Sequence, residues 1–353
     1  METERLFELL SDLILAPGVS GNEGAVASVV EARLAAAGIA HDRIQRDGLG
    51  NRWIRLGPAG EPKRVLIAHM DEIGFRITSI RPDGNCRVVA VGGIDAQLYE
   101  GAPVVVHTAG GPVPGAFAPV SHHVTFRTGA FSDRRLTAED LILDVGARSP
   151  EELSALGVRL LDTVTFPKRI EKLAGGLVQA RSLDDRFGCA ALVAAASKLA
   201  ESKAEVPVPT VFAWSVQEEV GLRGARALAH RFAAAEEVIA IDSFTVGAGP
   251  RDNKQFDSAK PGGGPVLRAF DGTTLVPDAA RDALLEKARG LGFELQYGYM
   301  PGGNDASMFE SSGSRVFGLS VPVVYSHTAA ERIQMGDLAR LVDLIAAWCV
   351  TWF

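Results

Sequence analysis

The stretch RVLIAHMDE, residues 64 to 72, decides how the rest of the chain is interpreted. Its branched apolar residues predict a buried strand, which stops at His69 with Asp71 two residues further on. In open α/β sheets, ligands bind outside the carboxyl ends of the strands. The stretch therefore raises the question of whether other strands of this chain end in the same type of residue.

Composition limits the classes of protein to which the chain can belong. Its 353 residues are 47% hydrophobic and 22% charged, as in globular proteins with one large or two medium domains. The net charge of −7 and the absence of a lysine and arginine cluster argue against nucleic acid as a partner. Three widely separated cysteines argue against a disulfide framework and favour a cytoplasmic location. We expect no membrane association, since no apolar run reaches about 18 residues and the acidic N-terminus is unlike a signal peptide.

The periodicity of apolar residues divides the chain into two parts. Residues 1–75 and 166–353 alternate helices with apolar strands, which predicts a mostly parallel sheet covered on both faces. Residues 76–165 are short β-branched runs between glycines and prolines, including HHVTFRT at 122–128. We therefore predict a discontinuous α/β domain and an inserted β-rich domain. The polar segment RDGLGNRWIRLG, residues 46–57, is interpreted as a turn-rich crossover before the first buried strand.

Within the discontinuous domain, several elements are predicted outright. The helices are expected at residues 3–15, 23–37, 184–202, 224–233, 277–292 and 334–352. The strands, besides the one that ends at His69, are expected at residues 208–216, 237–242 and 315–322.

Four of these strands end in residue types that bind metals, and a fifth candidate stands just before a helix. The candidates are His69 and Asp71, Glu218 and Glu219, Asp242, His327 and Asp184. Each alone has an ordinary interpretation, such as a hydrogen-bonded histidine, a solvated glutamate pair or a helix N-cap. Together they indicate a metal site, because several buried carboxylates are costly unless a cation pairs with them.

The types of ligand narrow the choice of metal. Nitrogen and oxygen ligands without thiolate suit Zn²⁺, Co²⁺ or Mn²⁺. A catalytic zinc typically takes three protein ligands, so five fit two metals that share a bridging carboxylate. Such a pair acidifies a water and polarises a carbonyl, as amide hydrolysis requires. The adjacent Glu218 and Glu219 can supply one ligand and one general base.

The motifs in which these residues occur resemble the metallopeptidase family M42, in order along nearly the whole chain. They are PGVSGNE, AHMDEIGF, VGGIDAQLYEG, LILDVGARSPEEL, ARSLDDRFG, SVQEEVGLRGA, IDS, PGGNDAS and PVVYSHTAAE. The resemblance implies a three-layer zinc-peptidase-like domain with a mostly parallel central sheet. It also implies that the insertion, residues 76–165, is a barrel-like lid and dimerisation domain. Members of the family are aminopeptidases that act on short peptides and assemble from dimers into homo-oligomers, up to tetrahedral dodecamers.

The resemblance implies a metal ligand at five positions. His69 and Asp242 would bind one metal and Glu219 and His327 the other, with Asp184 as the bridge, although the sequence leaves the partition between the metals open. Each subunit would hold two divalent ions, zinc or cobalt, with manganese as a further option.

The resemblance also implies two residues that act on the ligands or on the water. Glu218 would be the general base, and Asp71 would orient the imidazole of His69. The peptide bond after Asp184 is expected to be cis, as in related enzymes.

Three positions depart from the family's usual pattern. Val324 stands where arginine is frequent, Thr328 where serine is usual and Asn304 where threonine is usual. These changes leave the metal ligands intact and leave the substrate preference open. Asn304 and Asp305 are candidates for lining the substrate site, and a loop-capping role accounts for them equally well.

Several functions are compatible with these residues and with the family resemblance. The first is a dinuclear-metal-dependent aminopeptidase that uses a metal-activated water and a glutamate base. The alternative, prompted by Val324 and Asn304, is a metal-dependent deacylase or narrow-specificity dipeptidase acting on a small modified peptide. A glycosidase is disfavoured because the carboxylates are committed to metal rather than flanking a sugar linkage. A non-catalytic scaffold is disfavoured because all six ligand and base positions carry competent residues.

Overall fold

A computed structural model of the chain describes residues 3–121, 123, 135–252 and 256–352. The chain forms two compact units, one of Met1–Asp71 with Arg169–Phe353 and one of Glu72–Lys168. The roles that we predicted for the inserted part, as a lid and a dimerisation domain, remain predictions. None of the helices in the described ranges is long and apolar enough to cross a membrane.

The described helices and strands alternate through most of the larger unit. The α-helices are α1 (Thr3–Leu15), α2 (Gly24–Ala36), α3 (Pro150–Ala155), α4 (Leu183–Ser202), α5 (Arg223–Arg231), α6 (Asp278–Gly290) and α7 (Met335–Cys349). The strands are β1 (Gln45–Arg46), β2 (Arg52–Leu56), β3 (Arg64–His69), β4 (Gly74–Ile80), β5 (Cys86–Val91), β6 (Pro103–Thr108), β7 (Gly111–Phe117), β8 (Ile142–Asp144), β9 (Thr163–Thr165), β10 (Ile170–Lys172), β11 (Leu177–Ala180), β12 (Thr210–Ser215), β13 (Glu237–Ile241), β14 (Phe244–Thr245), β15 (Val266–Phe270), β16 (Gln296–Tyr299), β17 (Arg315–Ser320), β18 (Pro322–Val323) and β19 (Glu331–Gln334).

The larger unit is built on an eight-stranded sheet in the order β1-β2-β12-β3-β13-β17-β15-β16. Its four central strands, β12, β3, β13 and β17, are parallel to one another. The pairs β1–β2, β2–β12 and β17–β15 are antiparallel, so the sheet is mixed towards its edges. Every residue of β3, β12 and β13 is buried, as expected for strands covered on both faces.

The core lies on both sides of this sheet. On one side, Leu66 of β3 belongs to a cluster with Leu192 of α4 and Leu341 of α7. On the other side, the neighbouring Val65 packs in a cluster with Leu228 of α5. This alternation follows from the two-residue period of a strand. The three-layer α/β architecture that we predicted is confirmed.

The segment 46–57 is not the turn-rich crossover that we predicted. Residues Arg52–Leu56 form β2, which pairs antiparallel with β12 along its length. Within β2, Trp53 is buried in the core on one side of the sheet and Ile54 in the core on the other. The glycines that suggested turns belong to the connection between β1 and β2, so the strand was hidden by its neighbours in sequence.

The smaller unit is a closed barrel of six strands, β4-β5-β8-β7-β6-β9. Aromatic rings fill part of its interior: Tyr99 stacks on Phe166 at 4.1 Å between ring centroids, and Phe75 meets Tyr99 edge-on at 4.8 Å. The prediction of a barrel-like insertion is confirmed. The run 122–128, which we predicted as β-rich, lies outside the described residues apart from His123.

Candidate metal centre

The parallel strands bring the predicted residues to one edge of the sheet. Strand β3 ends at His69, which lies in register with Ser215 at the end of β12. Asp242 directly follows β13, and Glu218 and Glu219 stand in the loop that follows β12. Since parallel strands share their direction, these residues emerge on the same side of the molecule although the sequence separates them widely.

Two further residues reach this edge from connecting segments. Asp184 lies in the first turn of α4, and the Asp184–Asp185 peptide bond is cis, as the family resemblance led us to expect. His327 follows β18 and has a φ of 61°. All five predicted ligands line one cavity of about 660 Å³ together with Glu218.

The two oxygens of Asp184 face two different histidines. Its Oδ1 lies 3.3 Å from His69 Nε2, and its Oδ2 lies 3.7 Å from His327 Nε2. His69 Nε2 is 4.0 Å from Asp242 Oδ1, and His327 Nε2 is 3.5 Å from Glu219 Oε1. The ligands thus fall into two pairs, each of one histidine and one carboxylate, on either side of Asp184.

The electrostatics of the cluster favour the binding of a cation. Burial raises the pKa of Glu219 to about 8, and the nearby Asp184 adds to this rise. Burial likewise raises the pKa of Glu218 and of Asp242, the latter despite the opposing charge of Arg268. Burial also acts on Asp184, but its contact with His69 holds its pKa below the usual value. A carboxylate cluster with raised pKa values fits a divalent cation, which would favour the ionised forms.

The donor set agrees with this assignment of a cation. Ligand atoms of His69, Asp184 and Asp242 lie within 4.8 Å of one another, and so do those of His69, Glu218 and Glu219. Imidazole nitrogens combined with carboxylate oxygens suit zinc and its neighbours among the transition metals. The residues present therefore fit the kind of metal that we predicted.

Asp71 lies beside the imidazole that we predicted it to orient, and it contacts further groups as well. Its Oδ1 lies 3.6 Å from His69 Nδ1, and that nitrogen has no hydrogen-bond partner among the described residues. The carboxylate also accepts hydrogen bonds from the backbone N–H groups of Glu218 at 2.9 Å and Glu219 at 3.2 Å, and from Ser20 Oγ at 2.6 Å. Asp71 therefore also holds the loop that carries Glu218 and Glu219, the predicted base and a predicted ligand.

Asn304 and Asp305 do not line the cavity. Asn304 is fully buried and accepts a hydrogen bond from the N–H of Ala306, at the start of the 3₁₀ helix Asp305–Ser312. Its amide nitrogen donates to Asp271 Oδ2 at 2.8 Å. Asp305 accepts a hydrogen bond from Ser215 Oγ. Of the two interpretations of Asn304, the loop-capping one describes its contacts.

Sequence reasoning missed Arg268, which also lines the cavity. Its guanidinium lies 3.1 Å from Asp242 Oδ2 and 2.6 Å from Asp271 Oδ2, and only 1% of the side chain is exposed. Arg268 belongs to β15, a strand that we did not predict. Its sequence, VLRAF, is short and interrupted by the arginine itself, so periodicity offered no signal.

Glu331 was also missed, although it closes the quoted motif PVVYSHTAAE. This buried carboxylate accepts hydrogen bonds from the N–H of Asp184 at 3.2 Å and of His327 at 2.8 Å. It therefore links the backbone of Asp184, the predicted bridge, to that of His327, a predicted ligand. The motif could have identified it, since it contains one carboxylate beyond the ligand histidine.

The rest of the cavity lining is uncharged. It consists of Gly221, Leu222, Ser243, Thr245, Thr273, Met300, Pro301, Gly302, Gly303 and Ser326.

Comparison with known proteins decides the family. Residues 50–344 match the model of the M42 glutamyl aminopeptidase family. The chain belongs to this family. It is 31% identical over 350 residues to a putative aminopeptidase of Acetivibrio thermocellus, which covers 98% of both chains. It is 30% identical over 347 residues to the lysyl aminopeptidase of Pyrococcus furiosus, with 97% of this chain and 96% of that protein covered.

Solved structures of M42 enzymes share the fold. The Pyrococcus horikoshii TET1 peptidase, which can assemble into a tetrahedron or a large octahedral shell, has a TM-score of 0.87 and 35% sequence identity. The match covers 98% of this chain and 99% of that one. The family that the motifs indicated is confirmed, and the M42 chain described here is a peptide hydrolase.

Proposed function

We propose that this M42 protein is an aminopeptidase that removes N-terminal residues from short peptides with the help of two divalent metal ions. One observation carries the number of ions: the two oxygens of Asp184 face two separate pairs, His69 with Asp242 and His327 with Glu219. A carboxylate between two such pairs is the arrangement that a shared bridging ligand requires. Zinc or cobalt suits these donors, and manganese is compatible with them.

Each metal would have its own terminal ligands on this proposal. His69 and Asp242 would hold one ion, Glu219 and His327 the other, and Asp184 would contact both. When bound, the two ions supply Lewis acidity, which polarises the peptide carbonyl and lowers the pKa of a water. Two hydrogen bonds that Glu331 accepts hold the backbones of Asp184 and His327 in place.

Glu218 is the general base on this proposal. It lines the cavity beside Glu219, within 4.8 Å of atoms of His69 and Glu219, and it is not a member of the two histidine–carboxylate pairs that flank Asp184. Its carboxylate would take a proton from the attacking water and deliver it to the leaving amine as the peptide bond breaks. The hydrogen bond from its own N–H to Asp71 fixes the backbone from which the side chain projects.

The proposed activity is tested with a mixed pool of peptides that carry either free or acetylated N-termini. Protein loaded with zinc or cobalt is added, and mass spectrometry follows the products over time. Stepwise loss of single residues from free N-termini alone is expected. Cleavage confined to blocked peptides would contradict the aminopeptidase and favour the metal-dependent deacylase or narrow dipeptidase.

We further propose that the M42 protein forms homo-oligomers built from dimers, up to a dodecamer. The support is its similarity over 98% of the chain to the TET1 peptidase, which can assemble into a tetrahedron or a large octahedral shell and of which a dodecamer structure is known. Size-exclusion chromatography with light scattering distinguishes the assemblies. A monomer at working concentration would contradict the proposal.

A further inference from the structure

The loop that carries the proposed base is held by an unusual series of hydrogen bonds. Four successive backbone N–H groups, those of Val216, Gln217, Glu218 and Glu219, each donate to a buried side chain rather than to another backbone group. The acceptors are Asn51 Oδ1 at 3.0 Å, Glu23 Oε1 at 3.1 Å, Asp71 Oδ1 at 2.9 Å and Asp71 Oδ2 at 3.2 Å. The directions of these four peptides are thus set by side chains from outside the loop.

Glu23 belongs to the motif PGVSGNE, which the proposed mechanism does not use. Only 6% of the residue is exposed. Its Oε1 accepts from Gln217 and also from the N–H of Gly21 at 2.7 Å, so one oxygen joins the N-terminal turn to the catalytic loop. Ser20, from the same turn, donates to Asp71 Oδ2 at 2.6 Å. The turn therefore reaches the loop twice, once directly and once through Asp71.

The backbone of Gln217 explains why such a connection is needed. Its φ is 57°, in the left-handed region that residues other than glycine rarely adopt. A backbone of this kind persists only where its surroundings hold it. Glu23 is the side chain that accepts the N–H of this residue, directly before the base.

We propose that Glu23, with Ser20, is a positioning residue for catalysis: through Gln217 and Asp71 it sets where Glu218 and Glu219 stand in the cavity. The inference rests on the proposed function of those two glutamates. Misplacing a catalytic group by about 1 Å can cost on the order of 100-fold in rate. Residues that hold metal ligands typically matter 10- to 100-fold for metal affinity or activity.

The test compares Glu23→Ala with Glu23→Gln in the full-length protein. Alanine removes both hydrogen bonds, whereas the glutamine amide oxygen can still accept both. We expect Glu23→Ala to lower kcat on the order of 10- to 100-fold with little change in KM, and Glu23→Gln to restore most of the rate. A Co²⁺ titration followed by visible absorption should show weaker binding for the alanine variant alone, on the order of tenfold.

Asp337 provides a matched control. It is a buried carboxylate that also accepts two backbone N–H groups, from Gly262 at 2.7 Å and Gly264 at 2.8 Å, and it does not line the cavity. Asp337→Ala should therefore lower the melting temperature while kcat and Co²⁺ affinity stay near those of the wild type. If Glu23→Ala matches the wild type in both kcat and Co²⁺ affinity, the positioning role is overturned.

Two further outcomes are also decisive. If Glu23→Ala does not fold, Ser20→Ala removes only the hydroxyl that donates to Asp71, and a smaller loss of kcat in the same direction is expected. Wild-type behaviour of Ser20→Ala would then overturn the inference. If the wild type itself cleaves no peptide, the proposed function fails, and the Co²⁺ titration alone still decides whether Glu23 positions Glu219.

Discussion

Buried charge is compensated differently at the two ends of strands β3 and β13 in the M42 protein. We call the end at Arg64 and Glu237 the balanced end, and the end at His69 and Asp242 the metal end. Strand β3 runs from Arg64 to His69, and β13 runs from Glu237 towards Asp242. At the first end, Arg64 Nε lies 2.7 Å from Glu237 Oε1, and neither side chain is exposed to solvent. At the other end, Asp242 joins three further carboxylates around two histidines. One end is balanced by the chain's own charges, and the other contains an excess of acids.

The pKa values follow this difference. Burial acts to raise the pKa of Glu237, but Arg64 and other cations beside it hold that pKa below its usual value. Burial raises the pKa of Glu218 and Glu219, and the carboxylates around them raise it further. A buried charge is tolerated when a partner compensates it. The comparison teaches that the chain supplies cations of its own for Glu237, whereas most of the carboxylates proposed to act in catalysis would receive their compensating charge from bound metal.

At the metal end, removing the proposed base should cause the largest loss of activity that is possible without a change in the shape of the site. Glu218→Gln keeps the size of the side chain and eliminates proton transfer, so kcat should fall on the order of 10²- to 10⁴-fold. Metal content, measured by atomic emission, should stay at the wild-type value because Glu218 is not one of the proposed ligands. A variant that keeps more than a small share of the wild-type rate would show that another group is the base.

At the balanced end, Glu237→Gln should affect stability instead of activity. It leaves the buried Arg64 without its charged partner, which typically costs about 3–5 kcal/mol of the free energy of unfolding. The neighbouring Glu236 is the control, since it pairs with Lys63 and both side chains are about half exposed. Such exposed pairs contribute about 1 kcal/mol or less, so Glu236→Gln should unfold at nearly the wild-type urea midpoint. Equal effects of both substitutions would show that burial does not govern the first pair.

A residue of the site could be predicted from the sequence where the pattern that indicates it lies among its neighbours in the chain. His69 and Asp242 were predicted because an apolar run and the polar residue that ends it are neighbours in sequence. Arg268 was missed because its strand, VLRAF, is short and contains the charge itself. The hydrogen bonds of Asp71 with Glu218 and Ser20 could not be foreseen, since these partners lie 147 and 51 residues away.

The arrangement of the candidate ligands depends on distances that only the folded structure gives. The residue types indicated two metals that share a bridging carboxylate, and the family resemblance assigned the bridge to Asp184. The arrangement of the two oxygens of Asp184 between His69 and His327 depends on distances that no spacing in the sequence encodes. Asn304 illustrates the converse case. Its capping contact lies two residues away, at Ala306, and was one of the two local interpretations that the sequence allowed.

Removing metal should make the two ends respond oppositely to pH. In the metal-free fold the pKa of Glu219 is raised to about 8, and burial raises those of Asp305 and Glu331 to about 7. Raised values mean that the folded state binds protons more tightly than the unfolded state. This stabilisation is present below the unfolded pKa and is lost as pH rises through about 7–8. Glu237, whose pKa is lowered, contributes stability above its unfolded pKa and loses it as pH falls.

The melting temperature of chelator-treated protein should therefore fall between about pH 5 and pH 8, whereas that of metal-loaded protein should not. At a metal concentration 100 times the Kd, binding adds about 2.7 kcal/mol, so chelation should lower the melting temperature at pH 7 as well. Glu218→Gln is the control, because it keeps all five proposed ligands. Its melting temperature should respond to chelation as that of the wild type does. If the melting temperature depends on pH in the same way with and without metal, the proposal of a cation at the metal end is contradicted.

The smallest expected effect concerns the substrate side chain. At the metal end, the guanidinium of Arg268 already contacts Asp242 and Asp271. Outside the metal cluster, the described lining has no other charged residue that could pair with a glutamate or lysine side chain of the substrate. Burying such a charge unpaired is costly, so uncharged first residues should be preferred on the order of tenfold in kcat/KM. This differs from the glutamyl and lysyl preferences in the names of its family and of one relative.

Two matched pairs of tripeptides isolate this effect, because glutamine has the shape of glutamate and methionine approximates lysine. With Ala-Ala following the first residue, Gln should be released faster than Glu, and Met faster than Lys. A preference for Glu over Gln would mean that a cation reaches the cavity from outside the described lining, as a partner subunit could supply. Buried charge at the metal end would then be compensated by a protein side chain, as at the balanced end. The compensating cation would come from another subunit of the assembly and not from the same chain.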